Sequence, residues 1–276
     1  MLIGAYGLAE TNTNIISIAN FWKIYSESLQ NFMASVIQAA GNHLMQAGKN
    51  GELGTLDALH SSYILRFSAE ILSSLSEGLY NHSSHTYANK LCKNQAIIDC
   101  LQGILLISTT GSNSLFSTSG KEDIDKNLNL AKEKVIGTYH KYSKYLLDKT
   151  KETVLDEIPM FAQIFKNSKI LIESLYKLCT ENDVTIEKLE EHEELKDLIV
   201  STMRHLSYLA SNVKFFEIFS QVSKNFIINV IMPFLTITQD ERDCMVDNPM
   251  EFTNAQIDLC YRQVNFSKRN QINPKR

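Results

Sequence analysis

The chain has 276 residues, a net charge of −4, and 44% hydrophobic against 21% charged residues. That balance suits one or two compact domains, or a run of repeats, built around a buried core. It lacks the basic excess of a nucleic-acid binder, and its four prolines and eleven glycines leave few breakers for long helices.

Apolar residues recur at helical spacing along nearly the whole chain. A first helix is expected from about Asn14 to Gln46, with Ile15, Ile18, Trp22, Tyr25, Leu29, Phe32 and Val36 as its stripe. The Gly-rich segment Gly48 to Gly54 ends it. A second helix is expected over Leu56 to Tyr80, with Leu65, Ile71 or Leu72, Leu75 and Leu79 inside. A third is expected over Tyr87 to Ser108, carrying Leu91, Ile98, Leu101 and Leu105.

Thr109 to Asp123 is rich in Gly, Ser and Thr and reads as a loop. A fourth helix is expected over Ile124 to Lys149. A fifth covers Val154 to Cys179, where Pro159 fits only a first turn or a kink. A sixth, Ile186 to Leu209, opens in the acid run Glu187 to Asp197. In the seventh, Phe215, Phe219, Val222, Phe226 and Val230 fall on one face, and Pro233 kinks or ends it. No Asn-Gly or Asp-Gly hairpin signal lies between alternating strands. Helix pairs recur about every forty-odd residues, near the period of HEAT-type repeats. The expected fold is all-α: one armadillo/HEAT-like domain over 1–276, an α-solenoid of antiparallel helix pairs.

Beyond Pro233 the chain restarts twice. Thr238 and Glu241 form a capping box, with Asp240 and Glu241 in the first turn of a short helix. Asn248 then suits an N-cap, Pro249 the first helical position and Glu251 the third, with Phe252, Ala255 and Leu259 inside. The segment Val230 to Gln263 resembles the importin-β superfamily of nuclear transport receptors, the karyopherins, in the branch that holds importin-7, importin-8 and exportin-2. The shared elements are Pro233, Asp240, Glu241, Asp247, Pro249, Glu251, Phe252 and Asp258. They cover about an eighth of the chain and have a structural character. The resemblance implies a segment of a longer solenoid that carries cargo proteins between cytoplasm and nucleus. Ran-GTP and phenylalanine-glycine nucleoporins are the further partners it implies. A HEAT-like scaffold or adaptor without transport activity is the alternative.

Other chemistry is weak. Cys92, Cys100, Cys179, Cys244 and Cys260 have no framework spacing, which reads as a reduced, intracellular chain. His82 and His85 with Cys92 and Cys100 fit no standard zinc spacing. Gly111 to Lys121 lacks the phosphate-loop pattern, and no GxSxG occurs. The lysines of Lys141 to Lys151 beside Tyr139, Tyr142 and Tyr145 read as a solvated face with half-buried tyrosines. His205 reads as a packed or surface histidine, and Glu187 to Asp197 as a solvated acidic face. The longest apolar run, Phe226 to Ile237, falls short of the ~20 residues a membrane span needs. Neither an enzyme nor a cofactor is expected.

Overall fold

A computed structural model describes residues 15–81, 90–109, 115–116, 119–181, 193–222, 224–232, 243 and 245–250. Among them the secondary structure is helical, without strands. The helices are α1 (Ile15–Asn50), α2 (Leu56–Asn81), α3 (Gln95–Leu105), α4 (Glu122–Lys149), the short turn α5 (Glu152–Leu155), α6 (Pro159–Glu181) and α7 (Glu193–Ala210). A 3-10 turn at Val213–Phe215 leads to α8 (Phe216–Ser220) and α9 (Lys224–Phe226). The latter widens into a π turn at Ile227–Ile231.

The helix ends follow local chemistry. Gly51, at φ 74°, stops α1 at Asn50, four residues past the expected Gln46 and within the Gly-rich segment. Its N–H donates to Gly48 O and that of Glu52 to Ala47 O, the paired bonds of a Schellman cap. The third helix does not run unbroken from Tyr87: residues 93–94 interrupt it, and the Asn94 side chain accepts from Ile97 N to restart it as α3. The expected fifth helix also divides. Pro159 takes the first position of α6, after a break at 156–158. The seventh is not one helix but a chain of short turns. Gln221 N and Val222 N bond three residues back, which tightens the backbone, and the π turn then loosens it. Phe215, Phe226 and Val230 are still buried, with Ile218 inside and Phe219 and Val222 half-buried.

The inner face of α1 is displaced from the stripe expected. Met33, Ile37, Ala40, Leu44 and Ala47 are buried at spacings of four, three, four and three, whereas Phe32 is 59% exposed. The side chains of residues 15–30 lie outside the described ones. The interior positions expected on α2 and α3 are buried, save Ile71, which is half-buried, and Leu79, whose side chain lies outside the described ones.

Polar contacts give the helix directions. Asn127 Nδ2 donates to Ser62 Oγ at 3.1 Å across 65 residues, and Lys141 Nζ reaches Ser73 Oγ at 3.5 Å across 68. Both numbers rise together, so α2 and α4 run parallel. Ser201 Oγ donates to Glu133 at 3.2 Å, again across 68 residues, Lys126 pairs with Glu194 at 2.6 Å, and Tyr208 donates to Asp148 at 3.2 Å. So α4 and α7 run parallel too. Gly41 meets Ile107 and Gly103 meets Ile37, which makes α1 and α3 parallel as well. His43 Nδ1 lies 3.0 Å from Ser61 Oγ across the α1–α2 connection. Just past α7, Phe215 packs on Phe161 and Phe165 near the start of α6, with ring centroids 5.6 Å apart in each case. The offsets between parallel helices run from 60 to 68 residues, in place of the forty-odd expected. With 36, 26, 28 and 23 residues, α1, α2, α4 and α6 are too long for pairs to recur at the shorter period.

In α4, Leu128, Val135, Ile136, Tyr139, Tyr142 and Leu146 are buried, because α2, α3, α6 and α7 all pack on it. Burying Tyr139 and Tyr142 removes on the order of 300–500 Å² from water, at most about 8–12 kcal/mol before entropy is counted.

Two glycines test this packing with opposite signs. A Cβ at Gly48 would stand 2.1 Å from the Thr109 carbonyl oxygen, while one at Gly137 would meet no atom within 4 Å. Gly48→Ala is expected to cost about 1–3 kcal/mol and Gly137→Ala to gain about 0.5–1 kcal/mol, read by urea unfolding.

Candidate functional site

A groove of about 290 Å³ lies between α6 and the segment that follows α7. From α6 come Lys169, Ile172, Glu173 and Tyr176, spaced three, one and three, which is one helix face. Ile218, Gln221, Val222 and Phe226 form the other wall. Ile172, Ile218, Val222 and Phe226 make an apolar floor. Lys169, Glu173, Tyr176 and Gln221 make a polar rim, with the Lys169 ammonium 5.7 Å from the Phe165 ring centroid. The set holds no nucleophile beside a base and no paired carboxylates. It suits an apolar side chain of a partner, held by polar groups at the edge.

A titratable cluster outside it lies between α4 and α7. The ring of His140 meets that of His205 edge-on at 5.9 Å and that of Tyr208 at 5.2 Å. His205 is 1% exposed, and neither ring nitrogen has a hydrogen-bond partner. Burial pushes it down to about 3, aided by His140, so it is neutral. Burial, with Lys144 and Arg204 nearby, pushes His140 down to about 4. Burial beside the Asp148 carboxylate pushes the Tyr208 phenol up to about 12. His205 is enclosed in packing, and His140 and Tyr208 stand half-buried beside it.

Cys92 and Cys100 are buried, and desolvation raises them to about 12 and about 11, so both stay thiols. Among the described residues no group of three or more His, Cys, Asp or Glu stands ready for a metal; His82 and His85 lie outside them. Tyr139, Tyr142 and Tyr145 are buried more deeply than half and offer no stacking platform for bases. In the loop before α4, Leu115 and Phe116 are buried, and the fully buried Lys132 donates to Leu115 O at 2.6 Å. Gly120 N donates to Asp125 at 3.0 Å, so this amide serves the helix start. Glu194, from the acid run, pairs with Lys126.

Of the residues that carry the family resemblance, Asp247 and Pro249 are described, and both are exposed. Residue 248 breaks the helical backbone and Pro249 reopens it, as its N-terminal preference predicts. Pro233, Asp240, Glu241, Glu251, Phe252 and Asp258 lie outside the described residues, as does the capping box from Thr238. Nothing brings Asp247 or Pro249 to the groove. Sequence reading missed the groove because its two walls are some fifty residues apart and each wall alone reads as ordinary helix. No helix among the described residues is long and apolar enough to cross a membrane.

No protein-family model, curated protein or solved structure matches the chain.

The unbonded His205 ring makes an acid-sensitive seam. The folded chain holds both histidines below their ordinary 6.5, so unfolding takes up protons as pH falls. Their contribution is complete above pH 6.5 and is lost progressively toward pH 4 and below. His205→Leu is expected to raise stability by about 1 kcal/mol at pH 7 and to flatten the loss between pH 6.5 and 4. Urea midpoints measured across that range check both effects.

Proposed function

We propose that the chain is a segment of an α-solenoid that binds other proteins. The observation that carries this reading is the recurring parallel register. Ser62 with Asn127, and Glu133 with Ser201, place α2, α4 and α7 side by side at offsets of 65 and 68 residues. With α1, α3 and α6 as their partners, the chain reads as three antiparallel pairs stacked in one direction, of HEAT or armadillo type with longer helices. Each pair contacts its neighbours, so such a stack is long and grooved, and its use is the display of extended surface. The apolar-floored groove beside α6 is a place on that surface where a partner's side chain fits.

Within that class the resemblance of Val230 to Gln263 to the importin-β superfamily supports a transport role. In that reading the segment helps carry cargo proteins between cytoplasm and nucleus, and Ran-GTP shifts the curvature of the whole solenoid to load or release them. A scaffold without transport activity is the second reading, and register and groove fit it equally well, since neither carries a feature specific to transport.

Immobilised phenylalanine-glycine repeats separate the two. The transport reading expects the native, full-length protein to be retained and enriched at the nuclear envelope. A native protein that is neither retained nor enriched leaves the scaffold reading.

A further inference from the structure

The outer side of α2 carries a second apolar stripe that the core does not use. Ala58, Leu65 and Leu72 point inward. On the opposite side, at 100° per residue, stand Leu56, Tyr63 and Phe67, spaced seven and four apart and 64%, 39% and 51% exposed. Ile64, 41% exposed, flanks them. The register of His43 on Ser61 brings Phe32, eleven residues back along α1, level with Ile71 and Leu72 of α2. The residues of α2 that meet α4, Ser62, Arg66 and Ser73, stand about a quarter turn round the helix from this stripe, so the patch does not face α4.

We propose that this face is a two-fold interface with a second copy of the chain. A closed pair of copies needs only one self-complementary patch, and two-fold dimers are the commonest assembly. The flanking charges do not select another kind of partner. Arg66 and Glu70 pair with each other at 3.2 Å along the helix, so that edge offers little net field to an acidic or basic surface. The area fits a reversible dimer. With roughly 200 Å² for each aromatic, the exposed parts of Phe32, Tyr63 and Phe67 give about 300 Å², and Leu56 and Ile64 bring the patch to about 500 Å². Two copies would bury about 1,000 Å², at the lower edge of specific interfaces, the size of reversible rather than permanent contacts. The inference does not depend on the transport reading.

Sedimentation equilibrium of the purified full chain between about 1 and 200 µM tests it. The expected result is a concentration-dependent dimer. Phe67→Glu and Leu56→Glu, at exposed positions and so expected to leave the far-ultraviolet spectrum unchanged, should each weaken it at least about tenfold. Val200→Glu, on an exposed site of α7 away from the patch, should leave it intact. A monomer throughout the range overturns the proposal and gives the face to another protein or a further helical segment. A dimer that survives both glutamates places the contact elsewhere and overturns it equally.

Discussion

The arrangement depends on α4 being covered from several directions at once. A surface helix buries one stripe and leaves its polar residues to water. Here Asn127, Asn129, Lys132, Thr138 and Ser143 are buried along with the apolar positions. Each then needs a partner inside the protein, since an unmet buried polar group costs about 1–3 kcal/mol. Thr138 and Ser143 bond back to carbonyls of their own helix at 2.8 Å. Asn127 reaches α2, and Lys132 holds the Leu115 carbonyl of the preceding loop. Burial pushes Lys132 down to about 7, against some pull from Asp125. An amine placed there is tolerated, charged or neutral, because its acceptor lies 2.6 Å away.

These bonds do more than satisfy buried atoms. Apolar surfaces slide with modest cost, whereas Asn127 meets Ser62 and Arg66 in one register only. The contacts of Glu133 with Ser201 and Asp148 with Tyr208 fix α7 on the other side. The apolar residues drive the association and the polar ones select its alignment. His205 departs from the pattern: it fills space at the same seam with both nitrogens unbonded, a cost the surrounding packing must offset.

Much of the helical content was legible because period and breakers are local. Ile98, Leu101 and Leu105 recur on one face whatever packs against them, and Pro159 signals a start by its own ring geometry. The errors arise where two signals compete. On α1, Phe32 continues an apolar stripe, but Met33 and Ile37 continue another one residue along, and small Ala40 and Ala47 let neighbours close on the second. Asn94 looked like a polar residue within a helix, yet its side chain prefers the free Ile97 amide and so divides the segment. The offset of 60 to 68 residues was invisible because it rests on pairs such as Ser73 with Lys141, which share no sequence likeness. The groove wall from Lys169 to Tyr176 was equally hidden, since its opposite wall becomes a neighbour only after α7 has returned.

The second stripe on α2 was legible in principle, because Leu56, Tyr63 and Phe67 stand at helical spacing in plain sequence. What the sequence leaves open is which of two apolar faces on one helix is used by the fold. Ala58 and Ala69 decide it: small residues permit close approach, and the inward face of α2 combines them with Leu65 and Leu72. The bulky outer face is the poorer one for close internal packing and the richer one for contact with another molecule, where aromatic area counts most. The same residue-size rule separates the faces of α1, with Ala40 and Ala47 inside and Phe32 outside. The alanines set among Leu44, Leu65 and Leu72 thus mark the face that each of the first two helices turns to the core.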